Sequence, residues 1–329
     1  MAKSDRSRLY LATLLTLLTA LAGLCMGSAK LNPAQVLRGL LRVDARAVET
    51  HIVWVVRLPH VAACLLAGAG LAMSGVLLQT ATSNPLAAPG VIGVNAGAGF
   101  SMLLCMCLFP MAYRIFPLAA FAGAFACTLL IVWLAGKAGG SRITIVLSGV
   151  AVSALLNAAI ALLRLIDPDA AVEYNTFSAG GVSGVAFADL GLPALILLVV
   201  FGIAWMLSAR LNLLCLGDAI AQALGVRAKR IRMAALVLAS ASAAAAVSFA
   251  GLMGFVGLMV PHIARKLIHG SNVKKLLPLS VLLGAALVTA ADLLGRVLFA
   301  PSEVPAGIIT AMIGAPFFFI LLMQRRNRL

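Results

Sequence analysis

Apolar residues run along this chain in blocks near twenty residues long, separated by short polar breaks. The blocks predict spans at 9–29, 58–79, 91–111, 116–136, 143–165, 190–209, 232–249, 251–268, 276–295 and 306–323, about ten in all. A helix needs ~20 apolar residues to cross a hydrocarbon core, because water is absent there to satisfy the backbone. The pattern therefore predicts an all-α integral membrane protein with a single transmembrane domain over 1–329. Two longer polar stretches interrupt it, an outer loop at 30–57 and an inner connector at 210–231. In the first, Asn32-Pro33 starts a short helix over Ala34–Leu41 that can lie flat at the interface. In the second, Asp218 is placed to cap a two-turn helix ending at Gly225, a docking knob for a soluble partner.

Composition agrees with the pattern. The 329 residues are 63% hydrophobic and 11% charged, with a mean hydropathy of +1.09, against about 25% charged in soluble domains. The net charge of +15 raises nucleic acid as a partner, but its distribution excludes that reading. With both termini on one side, all but eight of the 25 lysines and arginines fall on that face. The eight are Lys30, Arg38, Arg42, Arg46, Arg57, Arg114, Arg164 and Arg296. The excess of basic loop residues inside predicts cytoplasmic termini. Lys3, Arg6 and Arg8 before the first apolar block resemble a signal peptide, yet the block is too long for one and reads as a signal anchor. A lipoprotein reading of Cys25 fails because Leu24 occupies the small-residue position. The six cysteines read as apolar packing residues, since Cys105 and Cys107, two apart on a helix, point to different faces.

Two loops, Ser83–Gly90 and Gly251–His262, combine backbone breakers with apolar surroundings. Each lies one span into a four-span block, and the blocks, spans 2–5 and 7–10, run in opposite senses. That is the arrangement of an inverted repeat, which belongs to transporters. Glycine spacings at Gly93–Gly97 and Gly180–Gly184 suit close helix packing. No G-x-x-x-x-G-K-[ST] phosphate loop and no H-E-x-x-H motif is present, and His51, His60, His262 and His269 are scattered. An intramembrane enzyme therefore has no visible site. A proton-coupled carrier would use Asp292, but Arg296 follows one turn later, so a structural ion pair explains that acid equally well. The energy for transport is expected from outside the chain.

The motifs Arg57-Leu58-Pro59, Asn84-Pro85-Leu86-Ala87-Ala88-Pro89-Gly90, Leu224-Gly225-Val226, Gly254 to Arg265 with its Pro261-His262, Ala291-Asp292 with Arg296, and Pro305 to Pro316 occur in order along nearly the whole chain. In these the chain resembles the FecCD family of ABC-importer permeases for ferric siderophores, haem and cobalamin. The resemblance implies a fold like that of cobalamin-importer permeases, in a bacterial inner membrane. It implies a second permease subunit, expected to be identical, two ABC ATPase subunits that bind the ATP and Mg, and a periplasmic substrate-binding protein. Beyond membrane lipid no other partner is expected, and no cofactor or metal in this chain.

Residue by residue, the resemblance places ATPase coupling on Asp218, Ala221, Leu224 and Gly225. Docking of the binding protein falls to Arg57, Arg296 and His60. His60 replaces the family's second basic position, which leaves open a pH-dependent contact or plain packing. Gly139, Gly140 and Ser141 form the inner constriction, and Ser148, Ser153, Asn157 and Arg164 line the pathway, although Ser148 and Asn157 equally suit interhelical hydrogen bonds. The implied activity is import of an iron chelate, ferric siderophore or haem, by alternating access. A cobalamin importer and a proton-coupled carrier are the alternatives.

Overall fold

A computed structural model describes residues 3–27, 31–44, 46–137, 142–300 and 302–326. Among them every regular element is helical, as expected where backbone groups must be satisfied within each segment. In chain order the helices are α1 (Lys3–Cys25), α2 (Pro33–Leu40), α3 (Val48–Thr82), α4 (Val94–Leu108), α5 (Phe116–Lys137), α6 (Arg142–Ile166) and α7 (Pro168–Ala179). They continue with α8 (Phe187–Leu214), α9 (Asp218–Ala223), α10 (Ala228–Ala250), α11 (Val256–Ile268), α12 (Val273–Leu298) and α13 (Ala306–Arg326). Seven of these helices are long and apolar enough to cross a membrane. The segments Val94–Leu108 and Ala306–Leu321 are shorter apolar helices, and α11 has 13 residues.

α3 and α10 form the core, and α12 packs along α3. Lipid tails are as apolar as leucine, so helices gain by close backbone approach rather than by hydrophobic burial. The sequence of α3 supplies that approach. A Cβ on Gly68 would strike the carbonyl of Gly284 on α12, and one on Gly75 would strike the carbonyl of Gly257 on α11. The alanine-rich α10 brings Ser242 Oγ within 2.8 Å of the Gly70 carbonyl. By contrast α1 and α6 leave most of their apolar surface open, which suits lipid or a partner chain.

The helix boundaries differ from the sequence pattern in informative places. The outer loop expected over 30–57 ends early, because Val48–His51 is already helical and continues through a π-helical turn, Ile52–Arg57, into Leu58–Thr82. Pro59 lacks the N–H that would bond the Val55 carbonyl, and a widened turn accommodates the missing bond. Helix α7 was absent from the sequence pattern; Asp167 starts it by accepting from Ala170 N at 3.0 Å, with Pro168 at its first position. Between α1 and α3, the side chain of Gln35 accepts from Asn32 N at 2.8 Å and opens α2.

The backbone contact at Gly75 allows a direct test. Gly75→Val forces α3 away from α11 and should cost about 3 kcal/mol, read as a lower thermal unfolding midpoint in detergent. Gly202→Val on α8, where no atom lies within 4 Å of the added Cβ, should stay within about 0.5 kcal/mol of the parent.

Candidate functional site

The buried charged residues of this apolar bundle gather toward the two ends of α3. At its start, Arg57, His60 and Cys64 lie on one helix face, at i, i+3 and i+7, opposite Asp292 and Arg296 of α12. The Arg57 guanidinium donates through Nη1 to the carbonyls of Leu24 at 2.6 Å and Cys25 at 3.0 Å. Arg296 Nη1 donates to the Met26 carbonyl at 3.3 Å. The last carbonyls of a helix have no intrahelical partner and carry its negative dipole end, so two guanidiniums there complete the C-terminus of α1. Arg296 Nε also bonds Asp292 Oδ2 at 2.8 Å, and His60 Nε2 lies 2.9 Å from both Asp292 oxygens. The result is a buried knot tying α1, α3 and α12.

The ion pair expected between Asp292 and Arg296 is thus present, and His60 joins it. The three residues expected at an outward docking surface, Arg57, His60 and Arg296, turn inward, with exposures of 4%, 8% and 6%. Ligating atoms of His60, Cys64 and Asp292 fall within 4.8 Å of one another. A cation there would compete with Arg296 for the same carboxylate and sit beside a second guanidinium, so the charge pattern favours the knot over a metal.

At the other end of α3 lies the short helix α9, with Gly217 before it at φ 104° and Gly225 after it at φ 79°. Of the residues expected to couple to a partner, Leu224 is 58% exposed and Gly225 is exposed, whereas Ala221 is fully buried. Asp218 does not cap α9 with its side chain; the carboxylate pairs with Arg232 of α10 instead. Beside α9 runs a groove of about 750 Å³, with Val226 and Met233 between Arg227, Lys229 and Arg230.

Helix α6 carries the remaining candidates. Gly139, Gly140 and Ser141 lie outside the described residues. Asn157 and Arg164 are exposed on α6, along with Leu147, Val150, Leu155 and Leu162. Arg164 bonds Asn175 Oδ1 of α7 at 2.9 Å and stands 5.8 Å over the Tyr174 ring. Ser148 is half-buried, and Ser153 turns its hydroxyl inward near Gly93, in the loop that follows α3.

Removing one member of a buried ion pair strands the other charge. Asp292→Ala should therefore lower stability by about 3–5 kcal/mol, measured by thermal unfolding in detergent. The double change Asp292→Leu with Arg296→Met should lose less than Asp292→Ala alone.

Residues 14–324 match the model of the FecCD transport family. The ferric citrate import permease YfmE of Bacillus subtilis is 38% identical over 315 residues, 95% of this chain and 93% of that protein. The achromobactin transport permease CbrC of Dickeya dadantii is 37% identical, covering 97% of this chain and 92% of its own length. IsdF of Staphylococcus aureus, named for heme-iron transport, is 35% identical over the full length of both. A solved metal-chelate type ABC transporter in an inward-facing conformation superposes with a TM-score of 0.86 at 32% identity, over 96% of this chain and 98% of that one. With its motifs in order, its helical bundle and this agreement along nearly all of its length, the chain belongs to the FecCD transport family.

Proposed function

We propose that this chain is the membrane-spanning subunit of an ATP-driven importer for an iron chelate. The observation that carries the proposal is the exposed end of α9: Leu224 and Gly225 project beside a basic groove, in a chain of transport-family sequence with no phosphate loop of its own. Such a surface suits an ATPase partner that binds ATP and Mg and delivers the motion. On this reading ten spans, with spans 2–5 and 7–10 as inverted blocks and both termini cytoplasmic, have α9 on the inner face and the Arg57 knot on the outer one. A substrate-binding protein then docks over the outer end that Arg57, His60 and Arg296 hold together.

Two copies of the chain pair about a central path to which each contributes the exposed face of α6. That face is mostly aliphatic, with Asn157 among the leucines. Weak, non-directional contacts suit a bulky chelate that must be released on the far side, with selectivity residing in the binding protein. The names of the relatives, for ferric citrate, achromobactin and heme-iron, favour a ferric siderophore or haem over cobalamin. Transport proceeds by alternating access: ATP binding closes the ATPases, α9 carries the motion inward, and hydrolysis resets the gate. Asp292 holds Arg296 on Oδ2 and His60 against both oxygens, an arrangement that suits a structural pair better than a proton-coupling site.

The test is partner retention. Leu224→Asp places a charge at the centre of the proposed ATPase contact and should reduce co-purifying ATPase at least tenfold, on the scale of losing about 2 kcal/mol at an interface hot spot. Full retention of the ATPase by this variant would remove α9 from the contact.

A further inference from the structure

Arg232 is a cation in the second turn of α10, 5% exposed, buried at the opposite end of α3 from the Arg57 knot. Its neighbours Arg227, Lys229 and Arg230 are exposed, as basic residues at a membrane boundary ordinarily are. A positive charge near a helix N-terminus is opposed by the helix dipole, and burial adds a desolvation cost. Both disadvantages must be offset by specific partners. Nε donates to the carbonyl of Ala81 at 3.1 Å, in the last turn of α3, where carbonyls lack helical partners and the dipole is negative. Nη2 bonds the carboxylate of Asp218, the first residue of α9. One guanidinium thus joins three elements: the base of α10, the end of α3 and the helix proposed to meet the ATPase.

The connection continues past α3. Gln79, two residues before Ala81, directs Nε2 at the carbonyls of Ala87, 3.3 Å away in the following loop, and Gly257, 3.2 Å away in the first turn of α11. That same loop, at Gly93, comes against Ser153 of α6, the helix with the exposed pathway face. A simple cap of α3 would require no acid on α9. The presence of Asp218, the sole carboxylate between 210 and 232, on the same guanidinium makes the arrangement a strut.

We propose that Arg232 is a positioning residue that makes α9 and the end of α3 move as one piece, so that displacement of α9 reaches α11 and α6. This rests on the reading of α9 as the ATPase contact. The experiment compares Arg232→Gln and Arg232→Lys with the parent after reconstitution with the ATPase and binding protein, using radiolabelled ferric citrate or haem, whichever the parent transports. Arg232→Gln is expected to keep its ATPase and to hydrolyse ATP, while chelate moved per ATP falls at least tenfold. Arg232→Lys, a single point charge without the guanidinium fork, should recover part of that ratio.

An unchanged ratio in Arg232→Gln overturns the proposal, as does loss of the ATPase from that variant, which would make the residue part of docking. Should Arg232→Gln fail to give a monodisperse protein, Asp218→Asn, whose side chain is 43% exposed, takes its place, and loss of the ATPase from it counts against the strut as it does for Arg232→Gln. A lower ratio supports the strut and an unchanged one overturns it. Leu224→Asp keeps the two ideas distinct. ATPase lost from Leu224→Asp alongside normal coupling in Arg232→Gln refutes only the strut, whereas ATPase retained by Leu224→Asp refutes the contact itself.

Discussion

The near-contact of backbones around α3 is the constraint on which the rest of the bundle depends. Inside lipid there is no hydrophobic gain in bringing two apolar helices together, so association relies on dispersion and on hydrogen bonds at short range. Gly68 against Gly284 and Gly75 against Gly257 let α12 and α11 approach α3 to backbone distance. α10 closes another side of α3 through Ser242 and its alanines. Along the middle of a rod held this tightly only small polar side chains such as Ser74 and Ser242 fit. The buried charged side chains collect toward its two ends.

Those ends have complementary tasks. At one, Arg57 and Arg296 complete the carbonyls of α1, and Asp292 offsets their charge while holding His60. At the other, Arg232 and Gln79 complete the carbonyls of the last turn of α3, the following loop and α11. Each end is a place where a buried cation meets a helix C-terminus; the carboxylate beside it stands on the same helix as Arg296 at one end and on a different helix from Arg232 at the other. The same rod thus joins the surface proposed for the binding protein to the surface proposed for the ATPase. A displacement at α9 can reach the far side only through elements this closely packed.

Seven of the expected spans coincide with long apolar helices, because an apolar run near twenty residues has few alternative interpretations, whereas those expected at 91–111, 251–268 and 306–323 meet shorter helices or less apolar stretches. The start of α3 was not legible in the sequence, since Glu49, His51 and Arg57 give Val48–Arg57 the look of a loop, and only tertiary burial of Arg57 shows why it is helical. Helix α7 has a local start signal, Asp167-Pro168, but no apolar run long enough to mark it as a span. Asp292 with Arg296 was readable because the pair is local, one turn apart. His60 was not, because its partner lies 232 residues away. The carbonyls bound by Arg57 and Arg232 carry no side-chain signature at all, so those residues read as surface charge. Family resemblance pointed to Arg57 and Arg296 as docking contacts and to Asp218 as a coupling contact, while their partners inside the chain became visible only from the packing.

The measurement that bears most directly on the central claim is uptake into proteoliposomes holding this chain with its co-purified ATPase. Radiolabelled ferric siderophore, haem and cobalamin would each be supplied with a matching binding protein, with and without ATP and with and without a proton gradient. Accumulation of an iron chelate that requires ATP and ignores the gradient is the predicted result. Accumulation that follows the gradient and proceeds without any ATPase would contradict the account.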